Sequence, residues 1–175
     1  MTPGPGLPSG AMTQEQIELL YYGAMREGRT DVLAECLRQG VDLNRPDARG
    51  FPPIIIASYN GQAGAVALLL EAGAEVDGRD AKGNTALGGV AFKDEVEIAR
   101  QLLVAGAEVD APNHMGRTPL MFAVMFGRAD MVELLLEAGA DPERQDAEGN
   151  TALDLGANQS DRRIYDRLSR GKASD

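Results

Sequence analysis

Glycine recurs along this chain on a fixed ruler. Gly50, Gly83, Gly116 and Gly149 stand 33 residues apart, and Gly40, Gly73, Gly106 and Gly139 form a second ladder with the same step. A fixed period of this size makes each segment one supersecondary unit that cannot bury its apolar face alone, so neighbouring units must stack. The expected product is a quasi-one-dimensional solenoid in which each layer touches only the next.

Within one period, residues 113–144 read NHMGRTPLMFAVMFGRADMVELLLEAGADPER. Thr118 is placed to cap a helix and Pro119 suits its first turn, where the backbone N–H has no intrahelical partner. Gly127 interrupts the apolar run, and a leucine-rich second helix ends at Gly139-Ala140-Asp141. Gly116, Thr118, Pro119, Leu120, Ala123, Gly127, Leu135, Leu136, Gly139, Ala140 and Asp141 carry a resemblance to the ankyrin repeat. The resemblance covers roughly residues 14–170. It implies an all-α ankyrin-repeat solenoid of stacked helix-turn-helix units with β-turn tips. It implies nothing about a particular partner, because members share a scaffold and differ in what they bind.

The same ruler divides the chain. Residues 1–13 are rich in Pro and Gly and are expected to form a disordered leader. Residues 14–46 form an N-terminal capping repeat that lacks the glycine turn and Thr-Pro start. Residues 47–79, 80–112 and 113–145 are full repeats, residues 146–170 a polar C-terminal capping repeat, and 171–175 a disordered tail. In 47–79, Phe51-Pro52-Pro53 replaces the threonine cap. In 80–112, Gly88 and Gly89 fall inside the first helix, each at about 1 kcal/mol relative to alanine. Val90 stands there where the family usually has alanine, so the glycines are expected to make room for it. Asp94 replaces a turn glycine, and this layer is expected to be the softest.

Charge limits the choice of partner. Seventeen Lys and Arg against 27 Asp and Glu give −10, which argues against nucleic acid, whose readers present a basic face. No apolar run approaches the length of about 18 needed to cross a bilayer. The lone Cys36 allows no internal disulfide, so a reducing cytoplasm is the expected location. Cys36 reads as a small buried hydrophobe, since no basic residue stands near it to activate the thiol.

No catalytic signature is legible. His114 is the single histidine, which leaves too few ligands for a metal site. The carboxylates recur at helix and turn positions, as solvated faces do, and the glycines never gather into a phosphate-cradling loop. Neither an enzyme nor a cofactor is expected.

The resemblance locates the binding surface on a concave side made by the turn tips and the ends of the first helices. Tyr59, Phe92, Met125 and Phe126 then serve as apolar anchors, with Phe51 and Met115 across the groove on turn tips. Arg49, Lys82, Lys93 and Arg117 stand beside them, and positions two, three and five of those three turns, counted from the Asp or Asn that opens each, carry no acidic residue. The expected partner is a protein offering apolar side chains ringed by Asp or Glu. The competing reading has Tyr59, Phe92 and Phe126 fold back as a cover over the core, while Phe122 is expected inside it. The chain is expected to be a monomer, with self-association through the aromatic row open. Small stand-alone bacterial ankyrin proteins suggest an alternative, a dedicated accessory or inhibitor of one enzyme, such as a catalase companion or a toxin neutraliser.

Overall fold

The computed structural model describes residues 12–156 and 161–170. The expected leader up to residue 11 and the tail 171–175 lie outside the described residues, as do residues 157–160 of the C-terminal capping repeat. Among those described, the secondary structure is helical throughout, in ten elements. In chain order these are α1 (Gln14–Glu27), α2 (Thr30–Arg38), α3 (Pro53–Tyr59), α4 (Ala63–Glu71), α5 (Ala86–Lys93), α6 (Val96–Val104), α7 (Pro119–Met125), α8 (Ala129–Glu137), α9 (Ala152–Leu155) and α10 (Arg162–Arg170).

The odd-numbered helices pack side by side as one row, α1 to α3 to α5 to α7 to α9. The even-numbered helices form a second row from α2 to α10. The core runs between the rows as a continuous strip, from Leu33, Val66 and Leu69 through Leu87, Ile98 and Leu102 to Leu120, Leu135 and Ile164. The second-row helices α4 and α6 each bury one stripe, Ala65, Val66 and Leu69 or Ile98, Ala99 and Leu102, whereas α3 of the first row is buried from Pro53 to Ser58. Cys36 lies in this core, where burial pushes its thiol pKa up. It behaves as the small hydrophobe expected.

Local chemistry starts each first-row helix. Thr85, Thr118 and Thr151 accept hydrogen bonds from the backbone N–H groups of Gly88, Met121 and Asp154. Pro52 takes the equivalent place before α3 and supplies no side-chain cap. Thr13, read from sequence as the last leader residue, is the N-cap of α1. It accepts from the Gln16 backbone, and the Gln16 side chain accepts from the Thr13 N–H.

The turns between layers explain the glycine ladders. Both are left-handed throughout, as is a third register containing Gly28, Gly61, Asp94 and Gly127. The tips themselves are held by a repeated side-chain device. Oδ1 of Asp47, Asp80, Asn113 or Asp146 accepts from the backbone N–H groups two and four residues on, at 2.8–3.1 Å. Layers are then joined by backbone bonds, His114 N–H to the Lys82 carbonyl at 3.0 Å and Ala147 N–H to the Met115 carbonyl at 2.9 Å. On the other side of the stack, Asn44, Asp77 and Asp110 accept from the backbone N–H of Glu75, Glu108 and Asp141 in the next layer.

Val90 is fully buried in the strip, and Gly88 and Gly89 beside it also face the adjacent layers. A Cβ at Gly88 would stand 3.9 Å from the Phe122 ring and one at Gly89 3.6 Å from Tyr59. The missing side chains therefore border rings of the neighbouring layers. Phe122 in turn is half-buried and packs against the core rather than inside it.

Gly83 and Asp94 give opposite predictions. A Cβ at Gly83 (φ +77°) would lie 2.5 Å from His114 Cδ2 and 3.0 Å from the His114 backbone nitrogen. Left-handed strain alone costs about 1–2 kcal/mol, so Gly83→Ala should lower stability by about 2 kcal/mol or more. Asp94 is the one described non-glycine residue in that conformation, at φ +67°. Relief of its strain exceeds the unfolded-state entropy that glycine restores, about 0.4–1 kcal/mol. Asp94→Gly should therefore raise stability by up to about 1 kcal/mol, and denaturant titration of both variants checks the pair.

Candidate functional site

The ends of α3, α5 and α7 bring three rings together. Tyr59 and Phe92 lie parallel with centroids 6.5 Å apart and planes 3° from coplanar. Phe126 meets Phe92 edge-on at 4.5 Å and 84°. Both arrangements suit the ring quadrupole, which favours offset and edge-to-face pairs. Tyr59 remains 45% exposed and Phe126 43%, so the row is not a closed cover over the core. Phe92, between them, is half-buried. Its carbonyl accepts from Arg128 Nε at 3.1 Å, which ties the end of α5 to the next layer.

The row does not keep strict register. Met125 is the 33-residue counterpart of Tyr59 and Phe92, and it is half-buried. Phe126 follows it as the C-cap of α7, with φ −104°. That one-residue offset turns its ring across Phe92 instead of stacking on it.

The cations fall into two groups. The Arg49 guanidinium lies 5.2 Å from the Phe51 ring centroid, and the Lys93 ammonium 4.7 Å from that of Tyr59. Each contact contributes about 0.5–1 kcal/mol at an exposed site. Lys82 is exposed on the neighbouring turn. These three stand with the rings. Arg117 has a different setting, with Nε 3.6 Å from Asp146 Oδ2 and its side chain only 21% exposed. It sits against the next turn rather than open to the groove. Met115 projects from its tip, 47% exposed.

Between the turn tips and the ring row lies a concavity of about 470 Å³, lined by Arg49, Phe51, Tyr59, Asp80, Lys82 and Gly89, with Ala81 and Asn84. Its volume is in the range of small-ligand sites, about 300–1,000 Å³. The clefts between α8 and α10 and beneath α3 reach only about 140 and 130 Å³. Four of the lining residues, Arg49, Phe51, Tyr59 and Lys82, are legible from sequence as site candidates. Asp80, Ala81, Asn84 and Gly89 are not among them. For Gly89 the signal was present: its counterparts in the adjacent layers are Ile56 and Phe122.

Asp146 shows how a turn carboxylate is held. Its side chain is 1% exposed. Burial pushes its pKa up, but the backbone N–H groups of Asn150 and Glu148, the Asn150 side chain and the Arg117 guanidinium outweigh that and leave it below the ordinary carboxylate value. Among the described residues, no group of three or more His, Cys, Asp or Glu is placed to hold a metal ion. No described helix is long and apolar enough to cross a membrane.

A folded-state pKa below the unfolded one stabilises the fold above about pH 4 and stops doing so as pH falls through the folded value. Asn113 occupies the same place in the preceding layer, so Asp146→Asn can retain the turn bonds while losing the charge. The wild-type advantage over Asp146→Asn should therefore be full at pH 7 and be lost as pH falls below about 4. Thermal melts of both proteins across that interval measure it.

A family model described as ankyrin repeats, three copies, matches residues 20–113 and again 88–169. Comparison with curated proteins gave no match.

Proposed function

We propose that this chain, which belongs to the ankyrin repeat family, is a non-catalytic module that holds a partner protein against its ring row and turn tips. Ankyrin repeats are generally protein–protein interaction modules and typically non-catalytic. The observation that carries the placement is the Tyr59–Phe92–Phe126 row, packed ring to ring across three layers with its outer members more than two-fifths exposed.

Rigid aromatic side chains are favoured at binding hot spots because they bury much area and have few rotors to order. The surrounding layers fix these rings before any partner arrives, so binding costs little conformational entropy. Arg49, Lys82 and Lys93 would steer an acidic-rimmed surface to the rings and set orientation, more through on-rate than through affinity. Met115 and Met125 would extend the apolar area along the same face. Arg117, already set against Asp146, would act by holding the fourth turn in place.

Capture from a lysate of the source cells, with wild type beside Phe92→Ala/Phe126→Ala, tests this reading. One stoichiometric partner held by wild type should be lost by the double variant, and its retention should weaken as salt rises. Equal retention by both proteins moves the site to the outer helices or the caps.

A further inference from the structure

α5 lacks side chains where its neighbours have them. At the register of Gly89, the adjacent layers carry Ile56 and Phe122, and at that of Gly88, Ile55 and Met121. The concavity of about 470 Å³ opens beside this gap. Its apolar walls are the Phe51 and Tyr59 rings and Ala81, with Gly89 at its edge. Arg49 and Lys82 line the same space, and Lys93 stands over the Tyr59 ring. One carboxylate also lines it, and it is engaged in its own turn. Asp80 Oδ1 accepts from the Lys82 and Asn84 backbone, and its Oδ2 accepts from the Asn84 side chain at 3.0 Å.

Three cations around an apolar notch, on a chain with a net charge of −10, form a local field opposite to that of the whole molecule. We infer that the Gly89 notch is a receptor for one bulky apolar side chain, Phe, Trp or Leu, presented by an acidic segment of the partner. The flanking Asp or Glu carboxylates face Arg49, Lys82 and Lys93. This rests on the binding reading above and specifies the chemistry of its partner. Selectivity follows from both parts. A segment without the bulky residue leaves the notch empty, and a basic segment meets like charge.

The notch can be filled without attacking the fold. A Cβ at Gly89 would meet Tyr59 at 3.6 Å, ordinary van der Waals contact. Alanine also favours the helix by about 1 kcal/mol over glycine, and leucine stands at the same register in Leu155. Neither Gly89→Ala nor Gly89→Leu should lower the melting temperature.

The test selects binders to the full chain from a displayed library of random 12-residue peptides. It then measures the enriched peptides against wild type, Gly89→Leu, Gly89→Ala, Lys82→Glu and Phe92→Ala/Phe126→Ala. The expected consensus is one Phe, Trp or Leu flanked by Asp or Glu. Affinity should fall at least tenfold in Gly89→Leu, less in Gly89→Ala, and also in Lys82→Glu with a reduced salt dependence. Enriched peptides without that consensus, binding unchanged in Gly89→Leu, or failure to enrich any peptide overturns the inference. Peptides lost by the double Phe variant but kept by Gly89→Leu would leave the ring-row reading standing and remove the notch alone. Peptides indifferent to both would remove both.

Discussion

One side-chain hydrogen bond, repeated, sets the spacing of everything else. In each layer after the first, an Asp or Asn at the turn accepts two backbone N–H groups with a single oxygen, and glycine in a left-handed conformation closes the tip. The two bonds to one oxygen, together with the left-handed glycine, fix the shape of the turn. Because the shape is constant, the next turn can dock on it through main-chain bonds such as His114 to Lys82. The helices inherit their stacking from that docking. Ring positions one repeat apart in sequence become neighbours in space for the same reason.

The third helix pair departs from the pattern and is also where the surface is most particular. Gly88 and Gly89 remove side chains that the neighbouring layers have, and Asp94 holds a conformation that glycine takes in the equivalent turns. Each choice works against the local stability of α5. The strip of core beneath is nonetheless continuous, with Leu87, Val90, Ile98 and Leu102 fully enclosed. Apolar burial at roughly 25 cal/mol per Å² outweighs such backbone terms when several large side chains are involved. A layer can therefore give up surface side chains while its neighbours keep it in place.

The fold was largely legible in the sequence because its determinants are local. Glycine spacing, Thr-Pro starts and leucine stripes act over a few residues, and a fixed period carries them from layer to layer. Tyr59, Phe92 and Phe126 were legible for the same reason, their layer and helix end following from the count. Orientation was not. Whether Phe126 stacks or turns its edge depends on the cap geometry after Met125, and whether Arg117 faces the groove depends on a buried Asp146 one layer away. Phe122 looked like core on helical position alone, yet the space it borders is set by a glycine on another helix. The concavity was hidden for a related reason, since a gap is defined by what four neighbouring segments leave unfilled.

Which face of the stack meets a partner is read directly by photo-crosslinking. A benzophenone side chain would be placed at position 126 in the ring row, and in a second protein at position 104, where Val104 is 90% exposed on the outer row. After irradiation in a lysate of the source cells, the account predicts one dominant adduct from position 126 and none from position 104. An adduct from position 104, with position 126 silent, would contradict it.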